Sequence, residues 1–203
     1  MNLDALHGPK TALLIIDLQN DFLDPQGAYA RGGDTNPAAL PLPARVAAAA
    51  RALKAAGGFV AASQFTLWAD AAGEPMVSPH LKALRPYLRK GDFAAGSWGQ
   101  ALVLALDGLV DAVVCKVAYS AFFNTQLDWV LRRAGIDTVA VCGIVTNGGV
   151  ASTVRDAHMR DYRTLVLTDA CAAFGEERHQ AALADMRSVA QLIDCESFAK
   201  DLA

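Results

Sequence analysis

Two residues of opposite charge each follow a short apolar run in this sequence of 203 residues. Asp17 follows Ala12–Ile16, and Lys116 follows Ala112–Cys115. A carboxylate beside an ammonium group in a partly dry cleft is a candidate acid–base pair. Each residue also has an ordinary interpretation, since Asp17 could cap a helix or order a loop and Lys116 could be a surface lysine. The pair predicts a site only if the fold brings the two side chains within about 4 Å of each other.

A third candidate is the sequence Thr146-Asn147-Gly148-Gly149, which comes after the apolar run Thr138–Cys142. Its small residues predict a tight turn from a strand into a helix. Such a turn presents free backbone N–H groups and the positive end of a helix dipole to an anion or a developing oxyanion. An ordinary capped helix, with glycine present for close packing, is the alternative interpretation.

The elements that would position these residues alternate between two kinds. Short runs rich in large apolar residues predict buried strands, and longer stretches with helical spacing predict helices. The predicted strands are Ala12–Ile16, Phe59–Ala62, Ala112–Cys115, Thr138–Cys142, Thr164–Leu167 and Gln191–Ile193. The predicted helices are Pro43–Ala56, Gln100–Leu106, Asn124–Ala134, Gly149–Arg160 and Glu176–Val189. This alternation indicates an α/β fold, doubly wound, with a mostly parallel sheet and helices on both faces.

A fold of this kind also predicts where the site lies. Ligands of open parallel sheets bind in the crevice beyond the carboxyl ends of the strands. Asp17, Lys116 and the glycine turn all follow strands, so we expect them to meet at that edge. The segments Asp24–Pro43 and Trp68–Gly99 are long and irregular, and loops of this length often build sites.

Composition and charge favour small-molecule chemistry inside the cell. The net charge of −3 provides no clustered positive field for nucleic acid or an anionic membrane. No apolar run approaches the roughly 20 residues of a membrane helix. Residues 1–10 lack the basic region and apolar stretch of a signal peptide, so we expect a cytoplasmic protein. The length suits a single domain over residues 1–203, with a small molecule or another copy of the chain as partner.

Four segments together resemble one known family over nearly the whole chain. The chain is similar to the isochorismatase-like hydrolases, with the blocks in that family's order and spacing. These blocks are Ala12–Phe22 (ALLIIDLQNDF), Lys116–Phe122 (KVAYSAF), Val141–Ala157 (VCGIVTNGGVASTVRDA) and Leu165–Ala170 (LVLTDA). The resemblance implies a flavodoxin-like sandwich of three α/β/α layers and an assembly of identical subunits, a dimer or a tetramer.

The resemblance also implies a catalytic position at Gly149. Most members are amide hydrolases whose triad is an Asp, a Lys and a Cys, at the positions of Asp17, Lys116 and residue 149. Here residue 149 is glycine, and no thiol there can attack a carbonyl group. The other cysteines are Cys115, Cys142, Cys171 and Cys195, and they contain no C-x-x-C pair. Cys171 comes nearest to the predicted crevice, and we expect it to be a buried, inert thiol.

A second chemistry of the family needs no cysteine. True isochorismatases cleave a vinyl ether, and the resemblance implies Asp17 as proton donor and Lys116 as its electrostatic partner. Gln64 resembles the glutamine that this branch places after the second strand, and Phe22 and Trp98 resemble pocket aromatics. The peptide bond between Ile144 and Val145 is typically cis in the family, beside the substrate.

The segment from Ser63 to Thr66 contains no histidine and His80 stands alone, so we expect no metal and no other cofactor. Three hypotheses on function stay open from the sequence. The first is a cysteine-independent hydrolase in which Asp17 is the acid. The second is an amide hydrolase in which Asp17 activates water instead of a thiol. The third is a catalytically silent homologue that binds a ligand.

Overall fold

A computed structural model of the chain describes residues 5–202. Within them the strands are β1 (Thr11–Ile16), β2 (Phe59–Phe65), β3 (Ala112–Lys116), β4 (Thr138–Ile144), β5 (Arg163–Ala172) and β6 (Gln191–Ile193). They form one parallel sheet in the order β3-β2-β1-β4-β5-β6. The predicted α/β class and parallel sheet are confirmed. Residues 1–4, which form part of the segment used above to exclude a signal peptide, lie outside the described residues.

Helices cover both faces of the sheet. They are α1 (Asn20–Leu23), α2 (Ala28–Arg31), α3 (Leu42–Ala55), α4 (Pro79–Leu84), α5 (Leu127–Arg133), α6 (Ala151–Met159), α7 (Glu176–Met186) and α8 (Cys195–Asp201). On one face α3 packs against β1, β2, β5 and α8, and on the other α6 packs against β4, β5 and α7. The result is the three-layer α/β/α sandwich that the resemblance implied.

The central strand β1 is buried at every position, because its neighbours β2 and β4 shield both edges and helices cover both faces. The chain runs outward from β1 through β2 to β3 and then returns to β4 on the other side. This reversal opens a crevice at the carboxyl ends of β1 and β4, the usual ligand site in such sheets. Gly143 fits there because its φ is +114°, and a Cβ atom would lie 2.1 Å from the carbonyl oxygen of Ile16.

The predicted helix Gln100–Leu106 is wrong. Leu102 forms an antiparallel bridge with Gln19, and the N–H of Val103 donates to the carbonyl oxygen of Leu18 over 2.9 Å. These contacts hold most of the segment extended, and only Leu104–Leu106 forms a short 3₁₀ turn. Local helical spacing here is overridden by pairing with the chain that follows β1.

Five of the predicted strands, β1 to β5, are longer in the structure, and the extensions of β2 and β5 are the largest. β2 continues to Phe65 and β5 continues to Ala172. Short helices also form inside the segments predicted to be irregular, namely α2 and α4. No helix among the described residues is long and apolar enough to cross a membrane.

Candidate active site

Asp17 directly follows β1 at the crevice and is almost completely buried. Its φ of +54° lies in the left-handed region, which residues other than glycine seldom adopt. One carboxylate oxygen, Oδ2, lies 2.6 Å from Nζ of Lys116. The other, Oδ1, accepts a hydrogen bond of 2.7 Å from the hydroxyl group of Ser63. Both oxygens are therefore fixed, one by a partner on β3 and the other by a partner on β2.

Lys116 reaches Asp17 from the last position of β3, with β2 between the two strands. Its side chain is buried, and Nζ also donates to the carbonyl oxygen of Ala118 over 2.9 Å. The predicted meeting of Asp17 and Lys116 is confirmed at well under 4 Å. The parallel register explains it, because Phe65 of β2 is level with Lys116 and Ser63 is level with Ile16.

The environment of Asp17 affects its protonation in opposite directions. Burial raises the pKa of Asp17 above the ordinary value of a carboxyl group, because the charged form loses hydration. Lys116 and Ser63 act against that shift by stabilising the carboxylate, without cancelling it. A carboxyl group with a raised pKa holds a proton more readily than a surface aspartate and can pass it to a substrate.

The glycine turn lies beside this pair, after a cis peptide bond between Ile144 and Val145, as the resemblance implied. Residues 146–150 form a π-helical turn that leads into α6. The N–H groups of Gly148 and Val150 both donate to the carbonyl oxygen of Val145. These two donors are consequently not free for an oxyanion.

Gly149 is adjacent to the carboxylate of Asp17. A Cβ atom placed on Gly149 would lie 3.5 Å from Oδ2 of Asp17, 3.2 Å from the carbonyl oxygen of Ile144 and 2.9 Å from Cγ2 of Ile16. The last distance is too short for an ordinary contact, so a side chain would require Ile16 to move. Glycine therefore leaves the approach to Asp17 open to a ligand.

The cysteines of the chain lie elsewhere. None of them lines the cavity that contains Asp17. Cys142 and Cys171 are buried, and burial raises the pKa of each thiol. Cys195 is half-buried, with a pKa raised to about 12 chiefly by burial. Cys115 is exposed. The low thiolate fraction of Cys142, Cys171 and Cys195 argues against a nucleophilic role for these three residues.

Asp17, Lys116 and Gly149 open into a cavity of about 440 Å³, a volume within the range of small-molecule sites. Phe22, Ile144 and Val145, which the resemblance placed near the substrate, line it. Its wall is otherwise largely aromatic and aliphatic, with a few nitrogen-bearing side chains. The remaining lining residues are Tyr29, Phe65, His80, Leu81, Leu84, Arg85, Leu88, Val117, Ala118, Tyr119, Asn147, Gly148, Phe174 and Arg178.

The structure does not bring Gln64 or Trp98 to this cavity. Because β2 continues to Phe65, Gln64 is still in the strand and points to the face opposite Ser63 and Phe65. Its amide donates to the carbonyl oxygen of Gln100 over 3.0 Å. The segment around Trp98 is fixed against α1 through backbone carbonyl groups, and the indole is 54% exposed.

Several cavity residues carried no strong signal in the sequence. Arg85 stood among loop charges, Arg178 at the start of a helix, and Tyr29 in an irregular segment. The packing of both long loops brings Tyr29 and Arg85 to the site, and the first turn of α7 brings Arg178. The position of Ser63 after an apolar run was visible, and its hydrogen bond to Asp17 follows from the register of β1 and β2.

Among the described residues, no group of three or more His, Cys, Asp or Glu side chains is arranged to hold a metal ion. Within the cavity wall the metal-binding types are His80 and Asp17, and Asp17 is already paired with Lys116. That a metal or cofactor is not needed stays a prediction.

Comparison with known proteins agrees with the fold. Residues 11–197 match the Isochorismatase domain. The chain is 38% identical over 195 residues to ureidoacrylate amidohydrolase RutB of Methylobacterium radiotolerans, covering 91% of this chain and 76% of the relative. The crystal structure of an isochorismatase family protein from Desulfovibrio vulgaris superposes with a TM-score of 0.78 at 28% identity, covering 94% of this chain and 97% of that one.

A cysteine hydrolase from Pseudomonas syringae has a TM-score of 0.83 at 24% identity, covering 100% of this chain and 98% of that one, which supports the fold alone. The chain belongs to the isochorismatase family and is a hydrolase. A small-molecule substrate is in keeping with a cavity of this size.

Proposed function

We propose that this hydrolase cleaves its substrate without a covalent enzyme intermediate, with Asp17 as the proton donor and Lys116 as its partner. One observation carries the proposal. Gly149 stands where a nucleophilic side chain would lie, and its missing Cβ would be 3.5 Å from Oδ2 of Asp17. The substrate can thus approach the carboxyl group directly, and no thiol lines the cavity.

The reaction that suits this arrangement best is cleavage of a vinyl ether. Protonated Asp17 gives its proton to the terminal carbon of the enol ether, and the C=C electron pair forms the new C–H bond. Water adds to the resulting oxocarbenium ion and returns a proton to the Asp17 carboxylate. The hemiketal then breaks into a carbonyl compound and an alcohol. Lys116, 2.6 Å away, stabilises the negative charge that Asp17 acquires after the first step.

A second candidate is hydrolysis of a C–N bond by water. It is favoured by the name of the relative that is 38% identical, ureidoacrylate amidohydrolase. In this reaction Asp17 would act as a general base that removes a proton from water, and the water oxygen would attack the carbonyl carbon. The two candidates need opposite protonation states of the same carboxyl group.

A substrate screen separates the candidates. Purified protein is incubated with isochorismate, ureidoacrylate and nicotinamide, while pyruvate and ammonia are measured. We expect pyruvate from the vinyl ether, at a rate that Asp17→Asn lowers strongly. Ammonia from the ureide or the carboxamide without any pyruvate would contradict the first candidate and support the second.

The same proposal includes a single domain over residues 1–203 that acts in the cytoplasm as a dimer or tetramer. Exposed apolar side chains at and beyond the edge strand β3, Val113 and Val117, support contact with another subunit. Sedimentation velocity should show a species of at least twice the monomer mass. A monomer at micromolar concentration would contradict the oligomer.

A further inference from the structure

The wall of the catalytic cavity has an excess of positive side chains. Arg85 and Arg178 line it together with Lys116. Asp17 provides the carboxylate among the lining residues, and it is already paired with Lys116. The two arginines are therefore not neutralised from within the cavity wall. A water-filled cleft with this charge attracts anions.

Arg85 is held in place while part of its guanidinium group stays available. It is half-buried, Nε donates to the hydroxyl group of Tyr29 over 3.3 Å, and Nη1 donates to the carbonyl oxygen of Leu84 over 2.9 Å. Within the described part of the chain it forms no ion pair, and Nη2 has no hydrogen-bond partner. Nearby Asp34 accepts a hydrogen bond from Tyr87 instead.

Arg178 comes from a different element, the first turn of α7. Its side chain is exposed and has no hydrogen bond or ion pair to any other described residue. Its acidic neighbours in the helix, Glu176 and Glu177, do not line the cavity. Glu176 accepts a hydrogen bond from Gln180. Two guanidinium groups from distant parts of the sequence thus face one cavity.

We propose that Arg85 and Arg178 bind a carboxylate group of the substrate, so that this enzyme selects anionic small molecules. The inference rests on the proposed function only for which part of the substrate reacts at Asp17. A guanidinium group offers parallel N–H donors that match the two oxygens of a carboxylate. Arg85, already oriented by Tyr29 and Leu84, provides the fixed contact, and Arg178 closes over the ligand from α7. Neutral molecules of the same shape gain neither contact.

The test measures binding rather than turnover, with benzoate and its neutral isostere benzamide as probes. Calorimetric titration of the wild-type protein should show benzoate binding at least tenfold more tightly than benzamide. Arg85→Gln and Arg178→Gln should each weaken benzoate binding about tenfold and leave benzamide binding within twofold. The matched controls are Arg89→Gln in the same loop and Arg187→Gln just past the end of α7, since both arginines lie outside this cavity.

Several outcomes would overturn the inference. The first is that the wild-type protein binds both probes with equal affinity. The second is that the arginine variants lose affinity equally for both probes. The third is that the control variants lose as much benzoate affinity as the arginine variants. Tighter binding of phenyl phosphate than of benzoate would overturn the assignment to a carboxylate.

If Arg85→Gln does not fold, the salt dependence of the wild-type protein decides the matter. Benzoate affinity should fall as sodium chloride rises from 50 to 500 mM, while benzamide affinity stays constant. An equal dependence for both probes would overturn the inference. Because no turnover is measured, the result is independent of Asp17, and a failure of the proposed function would show in the activity of Asp17→Asn instead.

Discussion

The carboxyl group of Asp17 can act as an acid or as a base, and the sign of its pH dependence distinguishes the two. Burial raises its pKa above the ordinary value, and Lys116 only partly opposes this. A proton donor must be protonated before it reacts, so activity is highest below the pKa and falls as the pH rises through it. A general base shows the opposite slope.

We therefore predict that kcat/KM for a vinyl-ether substrate decreases with rising pH, with a midpoint above the ordinary pKa of an aspartate. The measurement is a pH–rate profile with a substrate that does not itself titrate over that range. An activity that increases with pH through the same region would assign Asp17 as a base and support C–N hydrolysis.

Gly149 determines whether a thiol can take part. The variant Gly149→Cys places a thiol beside Asp17 and Lys116, where a nearby ammonium group lowers its pKa. The new Cβ would first have to displace Cγ2 of Ile16, which it approaches to 2.9 Å. We predict that the variant loses vinyl-ether activity at least tenfold and gains no ammonia release from carboxamides. A trapped acyl-enzyme in its mass spectrum would show instead that the site is that of a cysteine amidase.

The predicted end of each strand determined which site residues could be assigned from the sequence. Asp17 and Lys116 could be assigned correctly, because an apolar run that stops at a charge marks the carboxyl end of a buried strand. The same reasoning was wrong for Gln64. Two polar residues, Ser63 and Gln64, lie near the end of β2, and the strand continues past them to Phe65. One strand boundary misplaced by three residues placed that side chain in the crevice beyond the strand, whereas it lies within the strand.

A side-chain hydrogen bond joins helix α7 to the glycine turn. Oγ1 of Thr146 and Nδ1 of His179 share a hydrogen bond of 2.8 Å, and Thr146 is fully buried. Thr146→Val keeps the shape and removes this bond. We predict a loss of about 1 kcal/mol in the free energy of unfolding and a decrease in kcat of about tenfold, because small displacements of a catalytic turn are costly.

The control is Ser188→Ala, which removes an exposed hydrogen bond to the carbonyl oxygen of Asp185 just beyond the other end of α7. It should leave kcat unchanged in the same assay. Unchanged kcat in Thr146→Val would show that this contact does not position the turn.

At the scale of the whole molecule, the sheet could be predicted and the cavity could not. The parallel sheet follows from alternating apolar runs and right-handed crossovers, which are local signals combined with one general rule. Arg85, Arg178 and Tyr29 reach the cavity through two long loops and a helix start, whose paths depend on tertiary contacts such as the pairing of Leu102 with Gln19. No periodicity in the sequence encodes those contacts.

The stability of the molecule depends on β1, which is buried between two strands and two helical layers. Leu14 in its middle is 1% exposed, whereas Leu104 in a surface turn is 86% exposed. We predict that Leu14→Ala lowers the free energy of unfolding by about 2–5 kcal/mol and that the same change at Leu104 lowers it by less than about 0.5 kcal/mol. Urea denaturation measures both values. Similar losses at the two positions would contradict this assignment of the core.

The variant Asp17→Asn tests whether Asp17 transfers the proton in a reaction without a cysteine nucleophile. The carboxamide keeps the size of the side chain but cannot donate a proton as a carboxyl group does. The account predicts a decrease in kcat of about 10²- to 10⁴-fold, with thermal unfolding measured in parallel because Lys116 loses its counter-ion. Asp107→Asn, the same change on an exposed loop residue, should have no effect. Full activity of a folded Asp17→Asn protein toward its best substrate would contradict the account.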